Sequence, residues 1–309
     1  MGDKSAQPQQ PYYIASVGKL YTSVLISLLY EKDKLLYEDK INQYLDQKLL
    51  ENLHVYKGEN YTDQIKISHL LNHTSGLDDN FWPLLEEVLE DPDFNMSPRE
   101  AIIWGKNNLK PHFPPGKKFN YADANYHLLG LIIEGITEMS FHEALKSYIF
   151  EPFNLLHSHM LHYSESIEKP KYPMADFYVK DKKLTNHPGY VKIDYAAGGI
   201  VATSKDQLKF MKALVEGKII RKNTLEKMME DTAKFTLGID YGYGIHLIRT
   251  IPIIMPKKLN SWGHFGATGA FMFYHPQMEA YVIGSFNHFD YQRKGARFML
   301  KVISQLTKI

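Results

Sequence analysis

Long apolar runs separated by polar turns occupy the first two thirds of the chain, and they predict helices. Residues 14–30, IASVGKLYTSVLISLLY, are apolar on nearly every side of a helix, which is typical of a buried helix. Residues 66–77, KISHLLNHTSGL, predict a helix that Gly76 closes. Residues 97–100, SPRE, combine a helix cap, a first-turn proline and the acid of a capping box.

Two further helices are predicted between residues 125 and 150, where NYHLLGLIIEGITEM and SFHEALKSYIF are separated by a break near Met139. Residues 160–200 are rich in Tyr, Lys and Pro without a clear period, and they predict loops and short strands. Helical signals return over residues 203–232, starting at a cap at Thr203.

The last third of the chain changes to short β-rich segments, YGYGIHLIRT, SWGHFGATGAFMFYHP and EAYVIGSFNHF, followed by the amphipathic helix RKGARFMLKVISQL. Helices in the middle and strands at the end predict an α/β (α+β) fold. We expect an α/β portion formed by residues 1–44 and 191–309. Residues 45–190 would form a mainly helical portion, and a cleft between the two portions would hold the site.

Composition limits the function classes. The 309 residues are 44% hydrophobic, enough for a large core. Lys and Arg total 36 against 35 Asp and Glu, so the net charge of +1 offers no general attraction for nucleic acid. The absence of cysteine excludes disulfides, thiolate zinc sites and a cysteine nucleophile. A catalytic nucleophile would therefore be an oxygen or an amine.

Neither a membrane span nor a metal site is predicted. Apolar stretches fall short of the roughly 20 residues that a span requires, and the start of the chain lacks the regions of a signal peptide. His157, His159 and His162 have spacings that do not fit the H-E-x-x-H helix pattern, and no acid accompanies them. We expect no metal and no organic cofactor.

Ser16-Val17-Gly18-Lys19 fits the S-x-x-K pattern at the start of the buried helix. Positions three apart share one face of a helix, so the Lys19 amine can reach the Ser16 hydroxyl. Serine alone is a weak nucleophile, and burial disfavours the charged form of a lysine, which can then act as the base. On its own the pattern occurs often by chance.

Segments around and beyond this pattern resemble those of class C β-lactamase-like serine hydrolases, within the penicillin-binding-protein superfamily. They occur in family order from Tyr13 to the final strands: YIASVGKLYTSVLISLLYEKDKLLYEDKINQYL, ISHLLNHTSGL, FPPGKKFNYADANYHLLGLIIEGIT, AAGGIVATSKDQLKFMKAL, YGYG and GHFGATGAFMFYHP. The resemblance implies a β-lactamase/transpeptidase-like fold, with an antiparallel sheet flanked by helices and a mainly helical domain. It also implies a serine hydrolase that forms an acyl-enzyme on ester or amide bonds of small molecules or peptides.

The resemblance also implies roles for individual residues. Ser16 would be acylated, Lys19 would assist proton transfer, and Tyr121 would act as general base or as the proton conduit to the leaving group. The sequence does not decide which of Lys19 and Tyr121 takes the proton. The backbone N–H groups of Ser16 and Ala267 would form the oxyanion hole.

Further implied positions lie around the substrate. His264 and Gly266 would line the wall opposite the nucleophile, with Gly266 providing bare backbone close to the substrate. His73 in HTSGL is interpreted as a packing and turn element.

Two departures from the family concern the substrate. Asp123 stands where a carboxamide is common, and His264 replaces a lysine. Asp123 favours a charged Lys19, which points to a Tyr121 phenolate held by a cationic lysine. The changes make the pocket more negative, so we expect weak turnover of penicillins and a preference for esters, neutral amides or peptides with a free amine.

A third departure is at the start of the chain, where fifteen residues precede Ser16 and the family usually has two strands. The final strand, residues 280–286, would then have an exposed apolar edge that invites dimerisation, strand exchange or aggregation. Either the chain is a truncated form or another element covers that edge, and the sequence leaves this open. Alternative functions are a non-catalytic binding or scaffold protein of the same fold, and a β-lactamase or D-Ala carboxypeptidase proper. The family often works outside the cytoplasm, but the sequence leaves the location open.

Overall fold

A computed structural model of the protein describes residues 6–249 and 259–306. It combines an antiparallel sheet with helices on both sheet faces and with further helices from the middle of the chain. This mixed architecture confirms the predicted α/β (α+β) class. None of the helices within the described ranges is both long and apolar enough to span a membrane.

The strands of the described residues are short, at two to five residues: β1 (Tyr12–Tyr13), β2 (Val55–Tyr56), β3 (Glu59–Asn60), β4 (His159–Met160), β5 (Tyr178–Val179), β6 (Lys182–Lys183), β7 (Ile200–Ala202), β8 (Ala233–Thr236), β9 (Ile239–Tyr241), β10 (His246–Ile248), β11 (Ser261–Phe265), β12 (Phe271–His275) and β13 (Ala280–Gly284). The α-helices are α1 (Gly18–Glu31), α2 (Gln47–Leu50), α3 (Ile67–Leu71), α4 (Phe81–Glu90), α5 (Pro98–Asn108), α6 (Asp123–Thr137), α7 (Phe141–Leu145), α8 (Pro188–Gly198), α9 (Ser204–Val215), α10 (Lys222–Glu230) and α11 (Gln292–Leu306).

The main sheet has the strand order β13-β12-β11-β10-β9-β8, and all neighbours are antiparallel. Successive side chains of a strand point to opposite faces. Phe271 and Phe273 of β12 accordingly pack in one apolar cluster with Met299 of α11. Met272, between them, belongs to the large core that includes Leu20 of α1. The sheet is thus covered by α11 on one face and by α1 on the other.

A small sheet of order β1-β7-β4 holds the chain just before α1. The Ile14 N–H donates to the Ile200 carbonyl at 3.0 Å. Helix α1 is buried at 11 of its 14 residues, which confirms the predicted buried helix. A Cβ at Gly18 would lie 3.1 Å from the Cα of Gly198, so α1 and the end of α8 approach each other more closely than larger residues would allow.

Other helix predictions are confirmed at their caps. Ser97 forms the predicted capping box of α5 with Glu100. The Thr203 side chain accepts a hydrogen bond from the Asp206 N–H at the start of α9. Helices α6 and α7 are separated by a break that includes Met139, and α11 covers the predicted closing helix.

Two predictions are wrong. The helix expected over residues 66–77 ends at Leu71, because His73 adopts the left-handed conformation (φ 58°) and turns the HTSGL segment. Residues 160–200 were expected to contain loops and short strands, but they include α8. This helix is interrupted at Tyr195 (φ 35°) and almost wholly buried, so it has no polar face to give a period.

The division into two portions stays a prediction. Side chains from both, such as Val24 of α1 and Leu129 of α6, share the largest apolar core. Residues 1–5, 250–258 and 307–309 of the expected α/β portion lie outside the described residues.

Candidate active site

Ser16 lies in a short 3₁₀ turn, Ala15–Val17, that leads directly into α1. Ala15, immediately before it, has φ 49°, a left-handed conformation that residues with a Cβ seldom adopt. Such strain is concentrated at functional sites. Ser16 lines a cleft of about 640 Å³. The turn therefore presents a serine hydroxyl to a space large enough for a small substrate.

Lys19, one turn further along, is fully buried. Its Nζ donates to the Ser16 Oγ at 3.1 Å and to the Ala197 carbonyl at 2.8 Å. It also forms an ion pair with an Asp123 oxygen at 2.6 Å. The S-x-x-K pattern thus brings the two side chains into hydrogen-bonding contact.

The charges around Lys19 keep its amine protonated. Burial alone lowers the pKa of Lys19, but the carboxylate of Asp123, with smaller contributions from Tyr121 and Asp194, more than offsets it. The net effect raises the pKa above its usual value. Lys19 is therefore an ammonium at neutral pH in the free protein.

Tyr121 comes from the segment before α6 and lines the same cleft. The centre of its ring lies 4.9 Å from the Lys19 Nζ. Burial raises the pKa of the Tyr121 phenol, and Lys19 and a hydrogen bond with Ser16 lower it only in part. The phenol is therefore protonated in the free protein, and the phenolate expected during the reaction stays a prediction.

The HTSGL segment holds Tyr121 in position. The rings of His73 and Tyr121 lie 4.1 Å apart between centres. The His73 Nδ1 accepts from the Ala122 N–H at 3.2 Å and contacts the Asn125 amide at 3.0 Å. Burial lowers the pKa of His73 well below its usual range, so the ring is neutral and Nδ1 can accept. The His73 carbonyl also accepts from the Asn120 N–H at 2.9 Å, so His73 packs, as expected, and holds the chain on both sides of Tyr121.

His264 does not line the cleft, in contrast to the expectation. It is fully buried, with its Nδ1 2.6 Å from the Phe265 carbonyl and its Nε2 2.8 Å from the Tyr241 hydroxyl. Alternation along β11 turns His264 to the inner face of the sheet and leaves Phe265 to line the cleft. Burial lowers the pKa of His264 well below its usual range, so it supplies no cation to a substrate.

Gly266 is also not among the residues that line the cleft. A Cβ there would lie 2.5 Å from the Ile14 carbonyl oxygen, so the close backbone that requires glycine is that of Ile14 and not a substrate. Ala267 does line the cleft together with Ser16, as the expected oxyanion hole requires.

Two acidic residues of the cleft escaped the sequence analysis. Asp79 follows the HTSGL segment, and Asp194 lies in α8; both line the cleft. Burial, reinforced by the charge of Asp123, raises the pKa of each to about 7, although Lys19 acts in the opposite direction. The signal available in the sequence was only their proximity to the HTSGL and Gly-Gly segments.

The remaining cleft walls are largely aromatic. Phe81, Trp82 and Tyr190 share the cleft with Phe235 and Phe265. His246 also lines the cleft, and burial lowers its pKa to about 3. Arg293, from the first turn of α11, provides a guanidinium at the exposed rim. Neither His246 nor Arg293 was predicted.

Among the described residues, no group of three or more His, Cys, Asp or Glu side chains is arranged to hold a metal ion. The histidines of the HSHMLH segment therefore do not form such a group, and the His157 Nδ1 lies 3.0 Å from the Glu168 carbonyl.

The comparison with protein families gives one match over residues 1–302, to the family described as Beta-lactamase. The chain is 26% identical over 297 residues to the putative penicillin-binding protein PbpX of Bacillus subtilis (strain 168), covering 92% of this chain and 67% of PbpX. It is 28% identical over 246 residues to penicillin-binding protein 4* of the same organism, covering 75% of this chain and only 51% of that protein.

Among solved structures, D-amino acid amidase from Ochrobactrum anthropi SV3, in complex with D-phenylalanine, has a TM-score of 0.79 at 21% identity. The alignment covers 98% of this chain and 86% of the amidase. The fold is therefore the expected β-lactamase/transpeptidase-like fold. The chain belongs to the beta-lactamase family, within the superfamily of serine hydrolases that the sequence motifs indicated.

Proposed function

We propose that the protein is a serine hydrolase that cleaves ester or amide bonds, including peptide bonds, of small substrates through an acyl-enzyme on Ser16. The observation that carries the proposal is the 3.1 Å contact between the Lys19 Nζ and the Ser16 Oγ, inside a cleft that Tyr121 also lines. A nucleophile, a cation and a phenol in mutual reach are the parts that acyl transfer needs.

The Ser16 Oγ attacks the substrate carbonyl carbon, and its proton passes to the base. The carbonyl oxygen becomes an oxyanion, which the N–H groups of Ser16 and Ala267 stabilise. The bond to the leaving oxygen or nitrogen then breaks, and the leaving group takes the proton. Water then attacks the ester of the acyl-enzyme in the same way, which releases the acid and restores Ser16.

Tyr121 is the proposed proton carrier. Lys19 is already protonated beside Asp123, so it has no lone pair to accept the serine proton. Its ammonium lowers the pKa of the Tyr121 phenol, against the larger opposing effect of burial. Tyr121 first releases its own proton to the solvent, at the cost of that burial, and Lys19 stabilises the phenolate that then accepts the Ser16 proton.

Esters, neutral amides and peptides with a free amine remain the proposed substrates. His264 supplies no cation for a substrate carboxylate, which supports weak turnover of penicillins. Two cations of the described residues could still attract a substrate carboxylate. They are Arg293 at the rim of the cleft and Lys19, which is already paired. The similarity to a protein named as an amidase supports amides. A fluorescent penicillin that acylates Ser16 efficiently would indicate a β-lactamase or D-Ala carboxypeptidase instead.

A non-catalytic binding protein is the second candidate, and the protonated states of Lys19 and Tyr121 favour it. Turnover of 4-nitrophenyl acetate and of phenylalanine 4-nitroanilide separates the two. We expect hydrolysis that Ser16→Ala abolishes and that Ser166→Ala, a serine outside the cleft, leaves unchanged. A folded protein without Ser16-dependent turnover of either substrate supports the binding protein.

We also propose that two copies associate through β13. Among the described strands, β13 pairs only with β12, so its outer edge is open. Phe286 and Phe298, 37% and 49% exposed, lie beside each other nearby. Light scattering of the purified protein should give the mass of a dimer, and Phe286→Lys with Phe298→Lys should give a monomer. A monomeric parent at all soluble concentrations contradicts the proposal.

A further inference from the structure

The charges of the cleft are unbalanced. Lys19, beside the nucleophile, is paired with Asp123 at 2.6 Å, and Arg293 is the cation among the described residues that line the cleft. None of the ion pairs formed by the described residues includes Asp79 or Asp194, although both line the cleft. Two carboxylates therefore line the substrate space without an ion-pair partner among the described residues, and Arg293 lies at the exposed rim of the same cleft.

Neutral donors satisfy one oxygen of each carboxylate. The Asp79 Oδ1 accepts from the backbone N–H groups of Asp123 at 2.9 Å and Phe81 at 3.3 Å. The Asp194 Oδ2 accepts from the hydroxyls of Tyr13 and Tyr190. In the described part of the chain, no hydrogen bond reaches the Asp79 Oδ2. These bonds orient Asp79 and leave it one oxygen for a ligand.

A second, independent observation also indicates a polar ligand. His246 is 3% exposed and lines the cleft, and its Nδ1 has no hydrogen-bond partner among the described residues. Buried polar atoms are nearly always paired, so this unpaired nitrogen of a cleft residue is a position at which a polar group in the cleft can supply the missing bond. His246 is neutral, because burial lowers its pKa, and it therefore adds no positive charge that would repel a cation.

Aromatic side chains surround the carboxylates. Phe81 directly follows the Asp79–Asn80 turn, and its ring contacts those of Trp82 and Tyr190 at centre distances of 5.2 and 6.4 Å. Trp82 is 51% exposed despite its size. Aromatic faces attract both ammonium groups and apolar side chains.

We propose that Asp79, assisted by Asp194, binds the free ammonium group of the substrate. The substrate class is then amides, esters and peptides of amino acids that have an unblocked amino group and an aromatic or aliphatic side chain. This inference rests on the proposed function for its chemistry, but amine binding can be measured without catalysis.

Titration calorimetry of the full-length Ser16→Ala variant with phenethylamine, phenylalaninamide and N-acetylphenylalaninamide tests the inference. We expect the two free amines to bind at least about tenfold more tightly than the acetylated amide, as a charge-assisted hydrogen bond in a partly desolvated cleft implies. Asp79→Asn, which keeps the Oδ1 acceptor, should remove that preference.

Asp78→Asn is the matched control, since Asp78 is adjacent, carries the same charge, pairs with His112 at 2.8 Å and does not line the cleft. It should leave the preference intact. Equal affinity for free and acetylated amines overturns the inference, and so does binding of neither. A preference that survives both Asp79→Asn and Asp194→Asn also overturns it. Ser16-dependent ester turnover, measured in parallel, reports separately on the proposed function.

Discussion

The ammonium of Lys19 lies 2.6 Å from a carboxylate oxygen of Asp123 and 3.1 Å from the hydroxyl of Ser16. A carboxylate in this position fixes the lysine as a cation next to the nucleophile. In the proposed mechanism, proton transfer in the first step therefore depends on Tyr121, whose pKa burial raises most and the charge of Asp123 raises further.

Asp123→Asn should move the pH dependence of kcat/KM to lower pH. Asp123 raises the pKa values of both Lys19 and Tyr121, so loss of its charge lowers both. Activity that needs the base in its deprotonated form rises as the pH passes through that pKa, and the rise should occur at lower pH in the variant. A rise at unchanged pH contradicts the electrostatic role of Asp123. Asp78→Asn is the control for a general loss of negative charge.

Lys19→Met should destabilise the fold strongly, because it leaves Asp123 buried without its cation. Loss of one partner of a buried pair costs about 3–5 kcal/mol. The double variant Lys19→Met with Asp123→Asn removes the unpaired charge and should recover much of that loss. Urea unfolding of the three proteins measures the difference. Equal stability of the single and double variants would mean that the pair does not control the local electrostatics.

His73→Phe should lower kcat more than it changes KM. The phenyl ring keeps the contact with Tyr121 but leaves the Ala122 and Asn125 donors without their acceptor, at a cost of about 1–3 kcal/mol in a buried site. His73→Asn tolerates the left-handed backbone and offers an oxygen acceptor, so it should retain more activity. If Phe and Asn have the same effect on kcat, His73 acts only by filling space.

The contribution of Asp79 and Asp194 to stability should fall as the pH rises from about 4 to about 7, whereas buried histidines with lowered pKa values, such as His246, act in the opposite direction. The pKa values of Asp79 and Asp194 are raised to about 7 by burial and by Asp123, against about 3.9 for an unfolded aspartate. At these two sites the folded state therefore binds more protons than the unfolded state in this range, and their contribution to stability decreases until both acids have ionised. Lys19, Tyr13 and Tyr190 face the same carboxylates and reduce the effect without reversing it.

Asp79→Asn should remove part of this pH dependence. The free energy of unfolding should rise relative to the parent at pH 8 and change little at pH 4, where Asp79 is already neutral in the folded state. Thermal unfolding across the range measures it. A variant that loses stability equally at both pH values would show that Asp79 acts only as a hydrogen-bond acceptor for Asp123 and Phe81.

The sequence predicted the elements whose signals are local. The continuous apolar run identified α1, the Ser97 and Thr203 caps located α5 and α9, and the S-x-x-K spacing brought Ser16 and Lys19 together. The class of the fold followed from helices in the middle of the chain and strands at its end.

Features that depend on tertiary packing were not predictable from the sequence. Helix α8 is almost wholly buried and broken at Tyr195, so periodicity could not reveal it. The orientation of His264 depends on the register of β11 with β12, in which it lies opposite Met272. Asp79 and Asp194 are 115 positions apart in the sequence, and only the folding of the chain brings them to one cleft.

Intact-protein mass spectrometry after reaction with a fluorophosphonate tests the central claim, an activated hydroxyl at Ser16, most directly. The account predicts a single phosphonyl adduct on the peptide that contains Ser16, its loss in Ser16→Ala, and slower labelling in Tyr121→Phe. A folded protein that takes up no label at Ser16, or that is labelled elsewhere at the same rate, contradicts it.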